Sequence, residues 1–204
     1  MTFPPVTVVD LGLGNLYSVM QALRRAGGAP VRSADPEVVR RAERVVVPGQ
    51  GAFGDCARAL ESGLGEALLE VLRADRPYLG ICLGMQLLFE GSDEAPQATG
   101  LGWLRGRVRR FPAGRVGAAG RLLKVPHMGW APVRSRHRFV DDGGWYYFVH
   151  SYHCQPSGEV TVGSAEYGQE FCAAVSRGAL FACQFHPEKS HRRGARLIER
   201  FLRS

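Results

Sequence analysis

The chain has 204 residues, 45% of them apolar, enough for one sizeable core, and we read it as a single domain over 1–204. No apolar run is long enough to span a bilayer, and the first five residues carry neither a basic region nor an apolar core, so the reading excludes a membrane anchor and a secretory leader. The net charge of +7 is spread over several Arg-rich segments without a nucleic-acid module or interleaved stacking aromatics, and the five cysteines are odd in number and lack CxxC spacing; no nucleic-acid partner, no metal and a reducing cytoplasmic setting are expected.

Residues 6–10 are a β-rich run, followed by Gly12, Gly14 and a helical pattern over 15–26. This turn lacks the third glycine of a dinucleotide fingerprint and any Gly-Lys-Ser/Thr, so it reads as a tight turn with Asn15 at the helix N-cap. Short strands are expected at 29–32 and 44–47. The second runs into Pro48-Gly49-Gln50-Gly51-Ala52-Phe53-Gly54, where three glycines either let a backbone approach a ligand or make a plain turn. Helices over 53–62 and 64–72 precede a buried strand at 78–81 and a helix at 83–89. This alternation predicts a parallel α/β sheet with its ligand site at the carboxyl ends of the strands.

Residues 90–96 are an acidic loop in which Glu94, taken alone, is a solvated carboxylate. Beyond Trp103 the β runs at 104–111, 121–125, 145–149, 160–167 and 172–175, with a loop or hairpin over 112–120, predict a mixed or antiparallel addition. A strand at 180–185 and an amphipathic helix at 191–202, with Leu197, Ile198 and Phe201 inward, close the chain. The expected fold class is α/β: an open mixed, largely parallel central sheet flanked by helices, with an added smaller antiparallel sheet.

Cys82 stands where the strand at 78–81 meets the next helix, with Gly80 and Gly84 two residues to either side. That is the spacing of a strand-to-helix elbow, in which missing Cβ atoms relieve the crowding of a sharp turn. The elbow aims the thiol at a helix N-terminus that favours a thiolate, and it turns the Leu83 N–H toward a developing oxyanion. A base is supplied near the end of the chain by His186-Pro187-Glu188: residues two apart in an extended segment share a side, and a carboxylate beside an imidazole fixes its tautomer.

Gly80 to Gln86 together with Phe185-His186-Pro187-Glu188-Lys189-Ser190 resembles the class I (triad) glutamine amidotransferases. Within that family, the stretches 10–16, Lys124-Val125-Pro126-His127-Met128-Gly129-Trp130 and 146–152 resemble the glutaminase subunits of imidazole glycerol phosphate synthases, and the resemblance runs from the first strand to the final helix. It implies hydrolysis of L-glutamine by Cys82, His186 and Glu188 without a cofactor, and an oxyanion hole from the N–H groups of Leu83 and of Gln50 or Gly51. Gln50 departs from the small apolar residue usual at its position. It further implies glutamine binding by Gln86, Glu94, Ser151 and Tyr152, and a cyclase partner subunit met by His127, Met128, Trp130, Tyr147 and Lys189. From the residues alone, these last five read as packing. A glutaminase of anthranilate or pyridoxal phosphate synthesis is disfavoured by 124–130, and a non-catalytic interaction subunit by the intact Cys82, His186 and Glu188.

Overall fold

The computed structural model describes residues 5–117 and 120–204; the leader reading at 1–4 and positions 118–119 of the expected 112–120 loop lie outside the described residues. The first half alternates strand and helix: β1 (Pro5–Val9), α1 (Leu16–Arg25), β2 (Ala29–Ser33), α2 (Pro36–Arg41), β3 (Val45–Gly49), α3 (Phe53–Ala59), α4 (Gly65–Arg73), β4 (Tyr78–Cys82) and α5 (Leu83–Gln86). The second half is strand-rich: β5 (Gly91–Ser92), β6 (Ala95–Thr99), β7 (Gly106–Arg110), β8 (His127–Ser135), β9 (Gly144–His150), β10 (Tyr152–Pro156), β11 (Thr161–Glu166), β12 (Glu170–Arg177) and β13 (Leu180–Cys183), closed by α6 (His191–Leu202).

A nine-stranded sheet runs β2-β1-β3-β4-β13-β12-β11-β8-β9, and a four-stranded sheet runs β10-β7-β5-β6. Pairings from β2 to β13 are parallel and those from β13 to β9 antiparallel, so the expected mixed sheet is present. Most of the late strands extend the main sheet, and the smaller sheet is antiparallel except where β5 meets β7.

The parallel half follows from composition. Side chains alternate across a strand, and a strand covered on both faces must be apolar throughout. Val46, Leu79, Ile81 and Phe181 pack with α1 and α6, whereas Val45, Val47, Tyr78 and Ala182 pack with α2, α3 and α4.

Several boundaries differ from the sequence expectation. The helix expected over 53–62 stops at Ala59, and a wide turn over Leu60–Leu64 contains Gly63 at φ +93° before α4 begins. The expected strand at 121–125 is absent; that stretch contributes a single bridge, Val116 to Leu122. β8 was not anticipated, because its inward residues include His127 and Ser135 and its outward ones Met128 and Trp130, which hides the apolar alternation. The acidic loop at 90–96 is the hairpin of β5 and β6, and α2 forms where Asp35 caps a turn led by Pro36.

The elbow rests directly on β3. A Cβ on Gly84 would stand 1.8 Å from the Val47 carbonyl oxygen, and one on Gly80 would stand 2.6 Å from the Gly84 oxygen. The buried Tyr78 hydroxyl donates to that same Gly84 oxygen at 3.1 Å.

Under β8 and β9 lies a cluster of histidines and aromatic rings. His127 stacks on Tyr167 at 4.0 Å and on Phe148 at 4.9 Å, and His153 stacks on Phe111 at 4.6 Å. His150 Nδ1–H donates to the Tyr152 carbonyl at 2.8 Å, so its Nε2 accepts from His127 Nδ1–H at 3.3 Å. Burial disfavours charge on both rings and pushes His127 down to about 4 and His150 down to about 3.

Two outcomes follow for stability. Gly84→Ala forces the elbow off β3 and lowers stability by about 1–3 kcal/mol or more, read as a drop in the denaturant midpoint. Below about pH 6.5 the unfolded chain takes up protons that the folded His127 and His150 refuse, so stability falls as pH drops from 6.5 to 4. Each ring contributes about 1.4 kcal/mol per pH unit, and His127→Phe halves the contribution of the pair, measured by urea unfolding across that range.

Candidate active site

Cys82 is the last residue of β4, and its backbone sits at φ +55°, ψ −104°, a conformation that costs a non-glycine residue about 1–3 kcal/mol. Strain of this kind is held in place by the surrounding packing, here the contact of Gly84 with β3. The helix beyond the elbow is a single α turn, Leu83–Gln86, tightened by the bonds from Leu88 N–H to Met85 O and from Phe89 N–H to Gln86 O. The expected helix over 83–89 is therefore shorter, and its dipole offers a thiolate less than the sequence reading assumed.

His186 arrives at the thiol from the neighbouring strand, β13. Its N–H donates to the Tyr147 carbonyl at 2.9 Å, which ties the site to β9. Pro187–Lys189 is a 3-10 turn, so Glu188 reaches His186 by a tight turn and not by the extended alternation expected from sequence. The Glu188 Oε1 to His186 Nδ1 distance is 2.8 Å, and both side chains are 1% exposed. Nδ1–H therefore donates to Glu188, and Nε2 is left unpaired on the Cys82 side. Burial works against a charged ring, but the Cys82 sulfur and Glu188 outweigh it and hold His186 well above the usual imidazole range.

Ser190, quoted in the family stretch but given no role from the sequence, fixes this turn. Its hydroxyl donates to the His186 carbonyl at 2.6 Å and accepts from Tyr147 N–H at 3.0 Å.

Cys82 and His186 open into a cavity of about 370 Å³ at the carboxyl ends of β3 and β4. Gln50, Gly51 and Leu83 border it together with Gln86, Glu94, Ser151 and Tyr152, so the structure brings all the expected oxyanion and glutamine-binding residues to one place. Gln50 stands against Gly14, whose Cβ would approach the Gln50 nitrogen to 3.1 Å, so the β1–α1 turn buttresses this loop. Glu94 lies at the β5–β6 turn and is not a free loop carboxylate: its Oε2 accepts from Phe53 N–H at 2.8 Å, the end of α3 that has no side-chain cap of its own.

The other four cysteines are enclosed. Burial pushes Cys56 up to about 12 and Cys172 up to about 11, and raises Cys154 and Cys183 as well, so these thiols stay protonated at neutral pH.

Of the residues expected at a partner, Met128 is 63% and Trp130 40% exposed, on the outward face of β8. Tyr147 lies beside them on β9, edge-on to Trp130 at 5.9 Å, with Lys189 Nζ 5.9 Å from its ring centre. Trp145, which the sequence reading missed, adds a half-exposed ring on the same face of β9. His191 stacks on Trp130 at 5.1 Å. His127 is different. It faces inward, buried under this surface, because β8 alternates and its neighbour Met128 points out.

A family model described as glutamine amidotransferase class-I matches residues 7–204. The chain is 48% identical to the imidazole glycerol phosphate synthase subunit HisH of Dechloromonas aromatica, covering 97% of this chain and 95% of that one. It is 46% identical to the HisH subunit of Nitrosospira multiformis, covering 97% of each. In fold it is similar to a crystal structure of a glutamine amidotransferase, with a TM-score of 0.74, 21% identity and 97% of both chains covered. A chain of the PurLQS structure from Thermotoga maritima gives a TM-score of 0.74 at 17% identity, with 98% of both covered. Matched from its first strand to its last helix, the chain belongs to the class-I glutamine amidotransferase family and groups there with the imidazole glycerol phosphate synthase subunits named HisH.

Proposed function

We propose that the chain is the glutaminase subunit of an imidazole glycerol phosphate synthase, acting in histidine biosynthesis, and that Cys82, His186 and Glu188 are its catalytic residues. The observation that carries this reading is the buried His186–Glu188 pair set beside an elbow cysteine, in a cavity that also holds Glu94. The family and the relatives at 46–48% identity point the same way.

The chemistry follows from that arrangement. The Cys82 thiolate attacks the carboxamide carbon of glutamine, and the tetrahedral oxyanion is received by the Leu83 N–H and by the N–H of Gln50 or Gly51. His186 gives its proton to the nitrogen as the C–N bond breaks, releasing ammonia and leaving a glutamyl thioester. Water, deprotonated by His186, then hydrolyses the thioester to glutamate. Glu188 holds the imidazole in the tautomer that both steps need. Glu94 receives the α-ammonium of glutamine, and Ser151, Tyr152 and Gln86 line the same end.

Ammonia protonated in bulk water ceases to be a nucleophile, so a direct route to a second site conserves it. We assign the exposed face of Met128, Trp130, Tyr147 and Lys189 to the cyclase partner, in a heterodimer, because Lys189 belongs both to that face and to the cavity. Trp145 extends the surface, and His127 supports it from beneath. On this reading the partner completes the oxyanion loop at Gln50 and Gly51, and the chain alone turns over glutamine slowly.

The test is glutamate release from glutamine by the chain alone and with its cyclase subunit plus nucleotide ligand. Large stimulation by the partner is expected, and Cys82→Ser lowers release by about a thousandfold or more. Full activity in that variant overturns the triad; wild-type turnover that this cyclase does not stimulate moves the chain to another pathway. Glu94→Gln keeps an acceptor for Phe53 N–H but loses the charge. It is expected to raise KM for glutamine by about ten- to a hundredfold with kcat little changed. An unchanged KM removes Glu94 from the ammonium site.

A further inference from the structure

Gln184 follows β13 directly, is fully buried, and has no part in the scheme above. Its Nε2 lies 3.4 Å from Cys82 Sγ, and its Oε1 lies 3.0 Å from Gln86 Nε2. Gln86 Nε2 in turn lies 3.2 Å from the Tyr152 carbonyl oxygen.

The direction of this chain is fixed by its far end. A backbone carbonyl can only accept, so Gln86 must present its NH2 group to Tyr152. The second N–H of that group goes to Gln184, which must offer its own oxygen there. Gln184 is left with its NH2 turned toward sulfur, and the same network settles both amide orientations. His150 Nδ1–H takes the second lone pair of the Tyr152 carbonyl at 2.8 Å, so the anchoring acceptor is fully used.

We propose that Gln184 is a further catalytic residue of the glutaminase reaction, donating a hydrogen bond to the Cys82 sulfur whenever that sulfur carries charge, with Gln86 as the positioning residue behind it. The proposal rests on Cys82 being the nucleophile. In acylation the S–C bond forms as the carbonyl electron pair moves to oxygen, so charge leaves the sulfur; the pair then returns as the C–N bond breaks and His186 protonates the departing nitrogen. In thioester hydrolysis the water oxygen bonds to carbon, its proton passes to His186, and the S–C electron pair returns to sulfur. A neutral N–H donor at that atom favours the thiolate over the thiol and assists its departure from the acyl group. Hydrogen bonds to an ionised acceptor are roughly twice as strong as neutral ones, so the effect follows the charge on sulfur.

Other groups also face Cys82. His186 adjoins it with Glu188 behind, while His150, Glu94 and Lys189 stand around the cavity. Cys56, Cys154 and Cys183 lie close enough for their charge to couple to it, but burial keeps them protonated. Substitution of Gln184 leaves all of these in place.

The experiment uses Gln184→Met, of similar size and without a donor, and Gln184→Glu, should the first fail to fold. Each full chain is assayed with its cyclase subunit. Iodoacetamide labelling is followed by mass spectrometry across pH, and acid quench traps the glutamyl thioester during turnover. The expected result is that the acidic limb of Cys82 labelling moves up by about one pH unit, so that the labelling rate read on that limb falls about tenfold. The thioester fraction rises as hydrolysis slows. An unchanged labelling profile with an unchanged thioester fraction overturns the role of Gln184 and leaves Cys82 as nucleophile. Label appearing on a cysteine other than Cys82 overturns the proposal together with the reading beneath it.

Discussion

The contact on which the site depends is the approach of Gly84 to the Val47 carbonyl. It presses the turn after β4 against β3, so that Cys82 has no relaxed alternative to its positive φ. A cysteine at a strand end can bury its thiol as a small hydrophobe, as the other four cysteines here do. At position 82 the elbow leaves the thiol at a cavity, and Tyr78, donating to the Gly84 oxygen, ties the strand to the turn it enters. Local strain is maintained because parallel neighbours on both sides of β4 over-determine the geometry.

The second half of the site depends on the order of the strands. β13 comes last in sequence but lies beside β4, so His186 reaches Cys82 across about a hundred residues of chain. The tight turn at 187–189 then folds Glu188 back on the ring, and Ser190 joins that turn to Tyr147 on β9. Tyr147 stands on the exposed aromatic surface, and Lys189 belongs to both the surface and the cavity. Tyr147 thus joins this face to the backbone that carries His186. The opposite wall is similarly connected, since Gly14 on the β1–α1 turn stands against Gln50.

Much of this was legible in the linear chain because the information is local. The apolar runs of β1, β3 and β4, the glycines flanking Cys82, and Asn15 before α1 each encode a short-range requirement of covering, clearance or capping. The Asn15 side chain indeed caps α1 by accepting from Ser18 N–H. The closing helix has the bounds its apolar spacing predicts. β8 and β10 were harder to see, since their inward positions include His127, His153 and Ser135, whose burial is stabilised by rings and acceptors from distant strands. The helix over 53–62 was overestimated because nothing in the local pattern announces that Gly63 takes a positive φ.

The sequence by itself determined the chemistry available: one cysteine in an elbow, one histidine followed two residues later by a carboxylate, and a family-wide pattern joining them. Tertiary structure alone decided which groups meet. It made Glu94 both a cap for α3 and a wall of the cavity, turned His127 inward while Met128 and Trp130 face out, and brought Gln86 and Gln184, 98 positions apart, into one hydrogen-bonded line that ends on the sulfur of Cys82. The physical reason is that a buried amide needs a partner of the right kind, and those partners are supplied by distant strands and turns and not by neighbours in the chain.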